Sequence, residues 1–191
     1  MSGPEAAARK VLADACRRLD RLGLVHATAG NVSMRLGDAV LVTPTGAALG
    51  TIAPEDLVRV TLDGEALDGR RPSSELKLHL ALYRRTGAGA VVHTHSPYAT
   101  ALAFLGRPLP AVTDEAAAVL GEVPLVPYAP PGTAELAEAA AAAAAGRCAL
   151  LLERHGVAAW AGDLERAVAI AELVEATARH LYILETWRSR P

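Results

Sequence analysis

The apolar positions along this chain change period repeatedly, and each change marks an element. Between residues 5 and 22, Val11, Leu12, Ala15, Leu19 and Leu22 recur at helical spacing, and Gly23 ends the run. Val32 to Leu36 and Ala39 to Val42 flank Gly37-Asp38, which predicts two short strands joined by a tight turn. Helical periodicity returns over 75–86, 96–104, 115–121 and 163–187. Short apolar runs predict strands near 57–61, 90–94, 123–126, 148–152 and 156–160. A further helix opens at Thr133, whose hydroxyl can cap it, continues through the alanine tract 139–145 and ends at Gly146. The pattern is that of an α/β protein, with helices covering a sheet.

Composition narrows the classes. A chain of 191 residues suffices for one domain over residues 1–191 that buries roughly 70% of its unfolded surface. The 19 Lys and Arg against 21 Asp and Glu leave a net charge of −2, and no basic block is interleaved with aromatics. Nucleic acid is therefore not an expected partner. Cys16 and Cys148 lack metal or redox spacing and read as small core residues of a reducing compartment. No apolar run is long enough to cross a bilayer and the amino terminus has no leader-like segment, so the expectation is a cytoplasmic protein without a membrane partner.

The chemistry enters at Val91-Val92-His93-Thr94-His95. Side chains alternate along a strand, so His93 and His95 leave the same face about 6.5 to 7 Å apart, close enough to converge on one ion. A lone His-x-His pair is as often two core side chains. What changes the balance is His155, which ends another aliphatic run, and Glu75, which follows two serines at a helix start. Three imidazoles and a carboxylate suit zinc or a similar divalent ion. The segment 71–77 reads as a helix start with serine as N-cap, but Glu75 stands one and two residues after the serines rather than three. Its carboxylate is thus left without a capping-box role. His79 lies one turn further on and reads as a residue that orients neighbours rather than a ligand; His26 and His180 read as structural. Thr28-Ala29-Gly30-Asn31, Thr43-Pro44-Thr45-Gly46 and Ser73-Ser74 are turns or a helix start whose amides and hydroxyls can close on an anion, which points to a small phosphorylated substrate. A zinc hydrolase would leave those three segments unexplained.

Thr-Ala-Gly-Asn-Val-Ser (28–33), Thr-Pro-Thr-Gly (43–46), Pro-Ser-Ser-Glu (72–75), Val-Val-His-Thr-His (91–95), Pro-Tyr-Ala-Pro-Pro-Gly-Thr (127–133) and His-Gly-Val (155–157) together resemble the class II aldolase/adducin family, in particular its fuculose-phosphate aldolases. The resemblance runs from about residue 5 to 187. It implies a three-layer α/β/α sandwich with a central, largely antiparallel sheet, assembled as a homotetramer with sites between subunits. By matching motif it implies zinc on His93, His95, His155 and Glu75, with Glu75 also the catalytic acid/base. It places the substrate phosphate on Gly30, Asn31, Thr45, Gly46, Ser73 and Ser74. The implied reaction cleaves an L-fuculose 1-phosphate-like ketose 1-phosphate to dihydroxyacetone phosphate and a small aldehyde. A dehydratase or epimerase of a pentulose 1-phosphate is the alternative on the same scaffold, and an adducin-like binding module conflicts with the retained ligands. Lys10 and Lys77, the only lysines, read as polar helical surface, so imine catalysis is not expected. Asp114 stands where the resemblance expects a tyrosine from the neighbouring subunit, and little chain follows Tyr182 and Trp187 to fold over the site.

Overall fold

The computed structural model describes residues 3–189. Helix α1 (Gly3–Arg21) leads to strands β1 (Asn31–Leu36) and β2 (Ala39–Val42), then through 3-10 turns at Leu49–Thr51 and Pro54–Asp56 to β3 (Val58–Thr61). There follow α2 (Leu76–Thr86), β4 (Ala90–Thr94), α3 (Pro97–Phe104), α4 (Asp114–Val119), β5 (Leu125–Val126), α5 (Ala134–Ala143), β6 (Ala149–Leu152), β7 (Gly156–Ala161) and α6 (Leu164–Arg188). Two expected boundaries move. The alanine-rich helix stops at Ala143, short of Gly146, because the chain must turn there to bring Cys148 into line with β6. The strand expected over 123–126 shrinks to two residues, since Val123 bonds its backbone to Leu109 instead of to the sheet.

The seven strands form one sheet in the order β3-β2-β1-β4-β7-β6-β5, antiparallel throughout except for the β5–β6 pair. Side-chain alternation sorts the sheet into two cores. Ala90 and Val92 of β4 face a core with Leu12, Leu19, Leu102 and Val168, supplied by α1, α3 and α6. Val91 faces the other, with Leu78, Leu82 and Leu136 from α2 and α5. The result is a three-layer α/β/α sandwich. Strands buried on both faces read as continuous apolar runs, which is why β4, β6 and β7 show no polar alternation. Fully buried leucines such as Leu12, Leu41 and Leu151 each contribute on the order of 1.5 to 3 kcal/mol.

Two registers place the functional residues. Asn31 of β1 pairs with His93 of β4, and Thr94 pairs with Val157 at the start of β7. The carboxyl end of β4, the beginnings of β1 and β7 and the end of β2 therefore meet at one end of the sheet.

Candidate metal centre

His93 continues the alternation of Val91 and faces α2, while His95 lies just past the strand end. His155 comes from the turn between β6 and β7, whose Leu152 and Gly156 are paired. Arg154 in that turn adopts φ 58°, a left-handed conformation costly outside glycine, and the His155 N–H donates to the Leu152 carbonyl at 3.0 Å.

The fourth member arrives at the start of α2. Glu75 itself is the N-cap residue, not a serine as expected, and its side chain caps nothing. Ser73 does the local work instead: its Oγ accepts the Glu75 N–H at 3.1 Å and its carbonyl accepts the Leu76 N–H at 3.1 Å. The freed carboxylate turns inward. Glu75 Oε1 lies 3.5 Å from His93 Nε2 and 3.3 Å from His155 Nε2, and the Nε2 atoms of His93 and His95 are 2.9 Å apart. One donor atom from each of the four residues falls within 4.8 Å of all the others.

This donor set fits a divalent ion. Tetrahedral zinc with ligands about 2.1 Å away holds its ligand atoms roughly 3.4 Å apart, and the observed separations bracket that value. His93 Nδ1–H donates to the Val157 carbonyl at 2.8 Å, which reserves Nε2 rather than Nδ1 for a ligand role in the cluster. Glu75 Oε2 is buried without a hydrogen-bond partner, an orphan that a cation would satisfy. Burial by itself would push the Glu75 carboxyl up, but the His93 charge and hydrogen bonds from His155 and His93 hold it well below the usual carboxylate range. Burial, then the charges of His93 and His155, lowers His95 to about 4. A carboxylate and a neutral imidazole are the ligating forms.

Two glycines make the convergence possible. A Cβ on Gly156 would sit 2.4 Å from the Thr94 carbonyl oxygen, 3.1 Å from His95 Cδ2 and 3.3 Å from His93 Cε1. Gly156 is a close-approach position beside the candidate site that sequence reasoning passed over, although a glycine inside an apolar strand signals close backbone approach. Gly30, at φ +82°, would place a Cβ 2.6 Å from Val25 Cγ1 and 2.9 Å from the His93 carbonyl, so it is needed for packing as well as for any anion contact.

The three anion-type segments also meet here. Pro44 bridges to Pro72, the Ser73 N–H donates to the Thr43 carbonyl at 3.0 Å, and the Thr45 N–H donates to the Arg71 carbonyl at 3.3 Å. Thr43 Oγ1 accepts the Val32 N–H at 3.2 Å, tying both to the start of β1. Ser73 and Asn31 are buried, while Thr45, Gly46 and Ser74 are exposed. Beneath the cluster lies a buried polar string that the sequence reading saw only in part. Ser33 Oγ is 2.6 Å from His79 Nδ1 and 2.7 Å from the Tyr83 hydroxyl, and His79 Nε2 is 2.5 Å from Asn31 Oδ1. Its signal was present as spacing two on β1 and spacing four on α2. Asp114 is exposed in the first turn of α4, and the chain's own fold does not bring it to the histidines. His26, His180, Lys10 and Lys77 are exposed and outside the cluster. No helix among the described residues is long and apolar enough to cross a membrane.

Comparison with known proteins agrees with this architecture. Residues 10–182 match the family described as Class II Aldolase and Adducin N-terminal domain. The 5-methylthioribulose-1-phosphate/5-deoxyribulose-1-phosphate aldolase of Rhodospirillum rubrum is 43% identical over 184 residues, covering 95% of this chain and 83% of that protein. The L-fuculose phosphate aldolase of Escherichia coli (strain K12) is 42% identical over 178 residues, covering 92% of this chain and 82% of the relative. A solved L-fuculose 1-phosphate aldolase superposes with a TM-score of 0.89 at 35% identity, over all of this chain and 90% of that one. The fold, the convergent histidines and these similarities have one reading: the chain belongs to the class II aldolase and adducin family.

Proposed function

We propose that this chain is a zinc-dependent aldolase that cleaves a short ketose 1-phosphate to dihydroxyacetone phosphate and a small aldehyde. One observation carries the reading: an ionised Glu75 set against three convergent imidazoles, beside three segments suited to an anion. The relatives' names point the same way, since they include L-fuculose phosphate and 5-deoxyribulose-1-phosphate aldolases.

His93, His95, His155 and Glu75 would hold one zinc or similar divalent ion per chain. When bound, the ion supplies Lewis-acid stabilisation of the oxyanion charge that develops on carbon-carbon cleavage. Glu75 is the proton carrier. In cleavage the C3–C4 bond breaks and its electrons stay on C3, while the C4 hydroxyl becomes the aldehyde and releases its proton; the Glu75 carboxylate takes up that proton and returns it to C3, so it ends ionised as it began. In synthesis Glu75 removes that proton from dihydroxyacetone phosphate. Gly30, Asn31, Thr45, Gly46, Ser73 and Ser74 hold the phosphate through amides and hydroxyls. Asp114, shorter than a tyrosine, stands in for the residue that handles the aldehyde oxygen from a neighbouring copy. Exposed Phe104 at the end of α3, Leu105 just past it, and Tyr182 and Trp187 on α6 support a homotetramer, because apolar surface of this kind is normally covered. Residues 1–191 act as one unit in the cytoplasm.

The test is a panel of ketose 1-phosphates, including L-fuculose 1-phosphate and 5-deoxyribulose 1-phosphate, assayed for release of dihydroxyacetone phosphate by the zinc-loaded protein. Release from at least one supports the reading. Water elimination from a pentulose 1-phosphate, with no carbon-carbon cleavage of any substrate, would transfer the function to a dehydratase.

A further inference from the structure

Four polar side chains from two elements form one hydrogen-bonded string beneath the metal centre. Asn31 and Ser33, two apart on β1, share the sheet face toward α2; His79 and Tyr83, four apart on α2, share the helix face toward the sheet. Ser33 and His79 are wholly buried, Tyr83 is 2% and Asn31 6% exposed. The direction of the string follows from counting donors. Among the described residues the Tyr83 hydroxyl has Ser33 Oγ as its one side-chain partner, and its backbone contact with Val91 is of the kind in which an N–H donates to the phenol oxygen, so the phenol proton goes to Ser33. Ser33 then donates its own proton to His79 Nδ1, and a neutral imidazole accepting at Nδ1 carries its proton on Nε2. That N–H donates to Asn31 Oδ1. The reverse polarity would leave the buried phenol proton without an acceptor. With its oxygen engaged, the Asn31 carboxamide keeps its NH2 for another partner. Asn31 is paired with His93 across the sheet, so the two side chains share the sheet face that carries the histidine cluster.

We propose that His79, backed by Ser33 and Tyr83, is a positioning residue that sets the Asn31 carboxamide with its NH2 toward the substrate anion, an inference that rests on the aldolase reading above. A flipped carboxamide would offer an oxygen to the phosphate and repel it. An imidazolium would donate at Nδ1 as well and leave the Ser33 proton without an acceptor, so the donor count itself requires the neutral ring.

The experiment has three parts on the zinc-loaded protein. First, nitrogen-15 NMR of histidine-labelled protein should show His79 protonated at Nε2; protonation at Nδ1 overturns the proposal. Second, Ser33→Ala and Tyr83→Phe should each weaken binding of inorganic phosphate, and raise KM for the ketose 1-phosphate, by about 5- to 10-fold, as for loss of one neutral hydrogen bond, with kcat changed less. Third, Ser33→Thr, which keeps the hydroxyl, should restore both. Phosphate binding at wild-type strength in Ser33→Ala and Tyr83→Phe, at full zinc content, overturns the proposal. Tyr83→Phe removes one oxygen only, so it decides the matter if Ser33→Ala folds poorly. If the wild-type protein cleaves no ketose 1-phosphate, the aldolase reading fails, while the tautomer and the phosphate titration still judge the string.

Discussion

Replacing Gly156 by alanine tests how the metal centre depends on backbone packing. The added Cβ would lie 2.4 Å from the Thr94 carbonyl oxygen, about 0.9 Å inside the roughly 3.3 Å at which carbon and carbonyl oxygen normally meet. That oxygen is backbone on a strand paired on both sides, so it cannot swing aside. Strand β7 must move away from β4, and the same Cβ presses on His95 Cδ2 at 3.1 Å and His93 Cε1 at 3.3 Å. Overpacking of this kind costs about 1 to 3 kcal/mol, which for a chain of this size lowers Tm by roughly 2 to 4 °C per kcal/mol. Ligand geometry must hold to within about 0.5 Å, so zinc affinity should fall by about 10- to 100-fold, as when the surroundings of ligands are altered. Differential scanning calorimetry of metal-free protein and zinc titration against a competing chelator read the two effects separately. Gly162→Ala is the control, because a Cβ there meets nothing within 4 Å. If Gly156→Ala melts with the control and binds zinc with wild-type affinity, the close-approach argument is wrong.

His95→Ala should remove most of the zinc while leaving the helical circular-dichroism signal, because the two cores do not depend on the ion; a metal-free protein that is wholly unfolded would contradict this. Glu75→Gln should cut cleavage by roughly 100-fold or more, and exchange of the dihydroxyacetone phosphate C–H in deuterated water should fall with it; wild-type exchange would leave Glu75 a ligand only. Metal-free protein should lose stability as pH falls from 6.5 toward 5, because burial lowers His79 to about 3, so the unfolded chain takes up a proton there that the fold refuses. Toward pH 5 the slope should approach about 1.4 kcal/mol per pH unit from His79, with a smaller contribution of the same sign from partly exposed His95 and, near pH 6.5, an opposing one from His93, which burial lowers but the Glu75 charge and hydrogen bond raise further; urea unfolding of His79→Gln should show a flatter profile. Asp114→Asn should change cleavage less than Glu75→Gln does, with glycolaldehyde and lactaldehyde both accepted in synthesis; strict selection of one aldehyde would refute the loose-site reading.

The chain's local chemistry was legible without coordinates. His93 and His95 on one face, His155 at the end of an aliphatic run and Glu75 without a capping partner are facts of spacing two and of helix-start geometry, and those are short-range properties of the backbone. The helices and strands followed from apolar period for the same reason, and the family motifs supplied their order. What remained hidden depends on which strands become neighbours. The pairing of Asn31 with His93 sets residues 62 positions apart face to face, and Ser33 meets Tyr83 across 50 positions. Gly156 is indispensable only because Thr94 of a distant strand lies against it. Such contacts come from sheet order and register, which are chosen by how whole faces bury against helices rather than by any local pattern. Local sequence therefore determined the candidate ligands and their elements, and tertiary packing decided the space between them.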